Sequence, residues 1–255
     1  MKRIGILYVG IGEYIRLWDD FYTTCEENFC TSCEKRYFLV TDKDMASTGK
    51  VTVVHQDNLG WPCNVVFRYL FFLRIKEQLA GFDYLFFFNG NTRVRQTVTE
   101  EEFLPTEEEG GLVALTWHNL DEDADEFGFE RREEGAAYIP YGTRELYLQS
   151  GITGGVTKEY LKMLDVCHVM TMKDLENGIV ARVHDESIYN KYMLRRKARV
   201  LDSTYGCPSQ RDKGNKAKIV FQRKEDVLGH SWLRQYKGRG HTNTWFRRLL
   251  FRIGL

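Results

Sequence analysis

The sequence predicts an α/β protein, and three observations carry that expectation. Runs of strand length alternate with helical patterns along the chain, the order of an α/β architecture. Asp83-Tyr84-Leu85-Phe86-Phe87-Phe88 is strand-forming and mostly aromatic, which suits a strand buried on both faces in the middle of a sheet. The 255 residues contain four prolines and no Gly/Ser-rich linker before the far C-terminus, so one large domain is expected, over residues 1–236, followed by a tail at 237–255.

The elements follow in order. Ile4-Gly5-Ile6-Leu7-Tyr8-Val9 reads as the opening strand, and a helical pattern begins near Tyr14 with Leu17, Trp18 and Phe21 on one side. The intervening Gly10-Ile11-Gly12 lacks the third glycine of the dinucleotide fingerprint, because Ile15 stands in its place, which argues against a Rossmann dehydrogenase. Strands are expected at 36–41 and 51–55, then a helix over about 64–79 that is apolar nearly all round and contains Arg68. After the central strand come a strand at 112–116, a polar excursion, a Gly-rich turn at 151–155, a long helix at about 157–175 and a helical stretch at 188–195.

Composition excludes several classes. Thirty-six basic residues balance 36 acidic ones, which argues against broad nucleic-acid binding. Met1-Lys2-Arg3 leads at once into a strand pattern, and no apolar run reaches the roughly 18 residues of a membrane span, so a cytoplasmic protein is expected. In a chain this long that reads without a signal peptide the six cysteines are expected to remain thiols, and Cys30-Thr31-Ser32-Cys33 has no second metal-binding half to make a zinc site.

Candidate chemistry gathers at a few places. In an open α/β sheet, ligands bind just past the carboxyl end of a strand such as 83–88, which here is followed by Asn89-Gly90-Asn91. Nucleotide-sugar transferases place two aspartates there to hold a divalent cation; two amides suggest a sugar-nucleotide site that works without the metal. Arg68 needs a partner inside a buried helix, either a structural carboxylate or a bound anion. His184-Asp185-Glu186-Ser187 precedes a helix, where acids complement the helix dipole; Glu186 is also placed to act as nucleophile or as stabiliser of an oxocarbenium-like centre. His118 follows a strand end.

Taken in order, Gly60-Trp61-Pro62, the segments 73–79 and 83–91, Glu130-Arg131-Arg132, Ala137-Tyr138-Ile139-Pro140, Gly154-Gly155, and 184–187 with Asn190-Lys191-Tyr192 make the chain resemble glycosyltransferase family 6 over about residues 3–236. That family includes the histo-blood-group A and B transferases, the α1,3-galactosyltransferase and metal-independent bacterial relatives. The resemblance implies a GT-A fold, a UDP-galactose or UDP-N-acetylgalactosamine donor, a galactose-type acceptor on an oligosaccharide or glycolipid, and α1,3 transfer with retention. It also implies no metal cofactor. Glu186 matches the catalytic glutamate and also faces the acceptor, and His118 matches an acceptor contact. Tyr8, Tyr14, Arg68, Asn89, Asn91, Asp185, Lys224 and Arg234 fall at donor-site positions, with Arg93 and Arg95 in reserve for the diphosphate. Gln149-Ser150-Gly151 aligns with the donor-selecting triplet, in which a small third residue leaves room for the 2-acetamido group. Val183 and Gly128 depart from the animal members, which usually carry Trp and Thr at those positions, and both shape the acceptor pocket.

Two rival readings stand beside this one: a metal-dependent hydrolase built on His184, Asp185 and Glu186, and a non-catalytic protein that binds sugar nucleotides or glycans. In the tail, Trp245, Phe246, Leu249, Leu250 and Ile253 fall on one side of a helix and Arg247, Arg248 and Arg252 on the other. Residues 243–255 thus read as a basic amphipathic helix suited to an anionic membrane surface, and peripheral attachment to the inner face of the cell membrane is expected.

Overall fold

Alternation of apolar side chains across two covered faces organises the sheet. A computed structural model of the chain describes residues 1–118 and 122–229, so Arg234 and the 237–255 tail lie outside it. The strands β1 (Arg3–Val9), β2 (Glu34–Thr41), β3 (Val51–His55), β4 (Tyr84–Phe88), β6 (Leu112–Leu115), β7 (Ile152–Val156) and β8 (Arg199–Leu201) form one sheet in the order β3-β2-β1-β4-β7-β6-β8. The pairs β1/β2, β2/β3, β1/β4 and β6/β8 are parallel, while β7 runs antiparallel to both β4 and β6. A smaller sheet joins β5 (Thr92–Val94), β10 (Ile219–Phe221) and β9 (Cys207–Pro208).

The aromatic strand β4 is central, as its composition predicts. Leu85 and Phe87 pack into one core, with α3 (Arg68–Leu73), α6 (Thr157–Glu176) and α7 (Asp185–Met193). Phe86 and Phe88 pack into the other, with α1 (Trp18–Asn28) and Phe103 of α5 (Glu100–Phe103). The side chains of Leu85, Phe86 and Phe88 are fully buried and Phe87 nearly so, each removed from water by a covering layer.

Two expectations need correction. The helix read over 64–79 is three short pieces, α2 (Cys63–Val66), α3 and α4 (Lys76–Leu79), with Phe67 and Ile75 off helical geometry between them. Aromatic and β-branched residues are indifferent helix formers, and here the packing of Phe67, Tyr69, Phe71 and Phe72 in the core outweighs a regular helix. Of the glycines read as a turn, Gly151 does lie in one, but Gly154 and Gly155 belong to β7. A Cβ on Gly154 would lie 2.2 Å from Phe86 Cδ1, and one on Gly155, whose φ is +152°, would lie 2.0 Å from Gly111 O. Glycine is what lets β7 lie against bulky β4 on one side and β6 on the other.

The long connection from β6 to β7 is pinned by charge. Glu130 is 2% exposed and accepts from the Arg132 guanidinium and from the backbone N–H of Arg132 and Arg182. Burial works against its charge, but those bonds outweigh it and hold the carboxyl at about 2. Arg131 bridges Asp125 to the carbonyls of Ile139 and Pro140. The Glu130-Arg131-Arg132 and Ala137-Tyr138-Ile139-Pro140 segments therefore staple this connection.

Candidate active site

A cleft of about 720 Å³ opens beyond the carboxyl ends of β4 and β6. Strand order reverses between β1 and β4, so the sheet itself leaves a crevice on this side. Of the residues expected to bind or react, Arg68, Asn89, Asn91, His118, Gln149, Ser150, Gly151, Asp185, Glu186 and Lys224 all line it. Tyr14 sits beside it, with the Lys224 ammonium 5.3 Å from its ring centroid. Tyr8 is a correction: it is fully buried between Trp18 and Phe21, and its hydroxyl donates to Gly90 O at 2.7 Å. Its part is to hold the Asn-Gly-Asn turn from below. Arg93 and Arg95 also fall away from the cleft, paired with Asp20 and Asp212.

The start of α7 carries the acidic pair. His184, at φ +53°, precedes the helix and packs edge-on against Trp61 at 5.2 Å. Such a conformation is costly for a residue with a Cβ and marks a site where the fold overrides local preference. Asp185 turns inward and forms a buried ion pair with Arg68, whose guanidinium also lies 3.9 Å from the Phe87 ring centroid. Of the two alternatives weighed for Arg68, the structural carboxylate is present in Asp185, and Arg68 also lines the cleft.

Glu186, one residue on, faces the cleft with both carboxylate oxygens engaged. Tyr147 Oη donates to Oε1 at 2.6 Å, and the backbone N–H of Ser150 donates to Oε2 at 2.8 Å. Burial pushes the carboxyl above its ordinary range; the bonds from Tyr147 and Ser150 work against that shift, while nearby Asp185 adds to it. The segment that supplies both donors is tied to the same helix, because Asn190 accepts from Leu148 N at 2.9 Å and donates to Leu148 O at 2.7 Å.

The opposite wall is neutral and then cationic. Asn91 Nδ2 donates to Gln222 O at 2.6 Å, while its Oδ1 is buried without a hydrogen-bond partner among the described residues. Asn89 Oδ1 accepts from Gly90 N at 3.0 Å. Lys224 opens α8 (Lys224–Leu228), and Arg223 lies beside it on the cleft wall. Divalent cations such as Mg²⁺ and Mn²⁺ favour anionic oxygen ligands, which this amide pair does not offer. Among the described residues, no group of three or more His, Cys, Asp or Glu side chains is arranged to hold an ion, and all six cysteines are free thiols. The hydrolase reading loses its ligand set, since Asp185 is held by Arg68.

The family model of glycosyltransferase family 6 matches residues 71–230, more than half of the chain and most of the cleft. The chain belongs to glycosyltransferase family 6. The O-antigen biosynthesis glycosyltransferase WbnI of Escherichia coli is 31% identical over 225 residues, 87% of this chain and 95% of that protein. The globoside alpha-1,3-N-acetylgalactosaminyltransferase 1 of Gallus gallus is 26% identical over 207 residues, covering 76% of this chain and 58% of that protein. The histo-blood group ABO system transferase 2 of Rattus norvegicus is 39% identical over 80 residues, 31% of this chain and 24% of its own length. The family 6 chain is therefore a hexosyl-transferring enzyme, which sets aside the non-catalytic reading.

Several cleft residues of this family 6 enzyme carry no signal in the sequence. Tyr147, Trp117, Phe221, Gln222 and Arg223 reach the cleft from irregular segments or from the small sheet, where neither periodicity nor spacing marks them. Asn190 sits in a quoted motif, yet its part in tying the 147–150 segment is visible only in three dimensions.

Proposed function

We propose that the enzyme uses a GT-A-type fold to transfer N-acetylgalactosamine, or secondarily galactose, from UDP to a galactose-type hydroxyl of an oligosaccharide or glycolipid. The linkage formed is α1,3 with retention of configuration, and no divalent cation takes part. The observation that carries this reading is Glu186: a carboxylate held at both oxygens, facing one cleft with the Asn89/Asn91 pair and with Arg68, Arg223 and Lys224. Departure of UDP develops negative charge on its β-phosphate, and fixed cations stabilise that charge as a metal otherwise would. The sugar's anomeric carbon gains positive charge at the same moment, and Glu186 opposes it, by covalent capture or by electrostatics.

The donor sugar is the finer part of the proposal. Gly151 has no side chain, but the space its Cβ would take is filled by Gln149 Oε1 at 2.6 Å and Phe221 Cζ at 2.7 Å. Room for a 2-acetamido group therefore depends on Gln149 swinging aside, which breaks one bond, from Gly151 N to Oε1. Gln149 Nε2, buried without a partner among the described residues, is then available to the acetamido carbonyl. UDP release from UDP-N-acetylgalactosamine and UDP-galactose is the test: kcat/KM is expected to be higher for the first. A ratio favouring UDP-galactose refutes the donor choice, and turnover of neither sugar nucleotide despite UDP binding refutes the function.

No helix among the described residues is long and apolar enough to cross a membrane. Peripheral attachment through residues 243–255 rests on the sequence alone, since those residues lie outside the described ones.

A further inference from the structure

We propose that Tyr147 is the positioning residue that aims Glu186 at the reacting centre, and that the glycine at position 128 leaves the tyrosine hydroxyl in place, because a Cβ there would press on it. The inference rests on Glu186 being the catalytic carboxylate.

A carboxylate on the first turn of a helix can rotate about three side-chain bonds, and a catalytic role requires one orientation. Ser150 N fixes one oxygen and Tyr147 Oη the other, so the plane of the group is set by two points. The phenol is itself rigidly held. Its ring packs edge-on against Phe129 at 5.2 Å and beside Phe127 at 5.8 Å, and its backbone carbonyl accepts from Thr116 Oγ1 at 2.9 Å. Burial pushes the Tyr147 hydroxyl well above its ordinary value, with Glu186 adding to the shift, so it remains a proton donor at neutral pH.

Gly128 lies directly against this contact. A Cβ built there would stand 3.0 Å from Tyr147 Oη and 3.1 Å from Val183 Cγ2, tighter than ordinary van der Waals approach. Its backbone is not in the left-handed region, so conformational freedom does not explain the glycine. The two positions at which this chain departs from animal family members, Gly128 and Val183, thus meet at one point against the tyrosine that holds Glu186.

The experiment is a double-mutant cycle on the full chain, with Glu186→Gln as the reference. Tyr147→Phe keeps the ring packing and removes only the hydroxyl. It is expected to lower kcat by about tenfold to a hundredfold, the range for a hydrogen bond to a charged group, with Kd for UDP and the melting temperature close to wild type. Gly128→Ala is expected to lower kcat severalfold in the wild-type background and to have little further effect beside Tyr147→Phe, because the atom it presses on is gone. Wild-type kcat in Tyr147→Phe, with Glu186→Gln inactive, overturns the positioning role and leaves the function standing. A loss in Tyr147→Phe that follows melting temperature and UDP binding shows a merely structural tyrosine and overturns it too. Equal costs of Gly128→Ala in both backgrounds overturn the explanation of the glycine. An active Glu186→Gln removes the reading on which the inference rests.

Discussion

Glu186→Gln is expected to lower kcat by at least about a hundredfold while leaving the affinity for UDP within about twofold. The amide fills nearly the same space as the carboxylate, so the cleft keeps its shape; what disappears is negative charge facing a centre that becomes cationic only in the transition state. The fold is not expected to suffer. Burial raises the carboxyl's pKa in the folded protein, so folding favours its protonated form. The sign follows: this group contributes stability below its unfolded pKa, and the contribution is lost as pH rises through the folded value. Burial thus disfavours the ionised form in the native state, and the neutral glutamine is expected to match or slightly exceed wild-type stability. Steady-state kinetics, UDP titration and thermal melting on one preparation decide the matter. A variant that keeps most of its turnover, or that is simply unfolded, removes Glu186 from the catalytic role.

Asp185→Ala is expected to be the most destabilising single change in the cleft, by about 3–5 kcal/mol, the usual cost of stranding one member of a buried ion pair. The side chains of Arg68 and Asp185 are 8% and 4% exposed, so water cannot replace the missing partner. Ser150 O, 3.4 Å from Arg68 Nη2, and the face of Phe87 offer only partial compensation. The double variant Arg68→Met/Asp185→Leu removes both charges and is expected to recover most of the stability. Its activity is expected to stay low, because Arg68 is among the cations proposed to take the place of a metal at the departing diphosphate. Urea unfolding of the single and double variants separates the two roles. A wild-type midpoint for Asp185→Ala would refute the structural role, and wild-type turnover by the double variant would refute the catalytic one.

Much of this arrangement is legible in the sequence because it follows from local rules. A run such as Tyr84–Phe88 has no stable place except between two covering layers, and the sheet's topology then puts whatever follows it at the ligand-binding edge. Arg68 announces a partner by being charged among apolar neighbours, although the sequence does not say that the partner is Asp185, far along the chain. Where the sequence misleads, long-range packing overrides a local preference. Gly154 and Gly155 look like a turn because the pressure of Phe86 and of Gly111 O on them comes from segments distant in sequence. Tyr8 lies in a strand adjacent to the cleft, yet its side chain turns into the core formed with Phe21 and Trp18. Tyr147 lies in a connection without periodicity, and its importance rests on a single 2.6 Å contact with a residue on another element.

The central claim is that two amides and a set of fixed cations do here what a carboxylate-bound metal does elsewhere. The most direct test is transfer from UDP-N-acetylgalactosamine by enzyme stripped with EDTA, measured before and after Mn²⁺ is returned. Asn89 and Asn91 offer no charge to offset the desolvation of such an ion, so kcat/KM is predicted to be unchanged by the chelator and by the added metal. Loss of turnover in EDTA that Mn²⁺ restores would contradict the account.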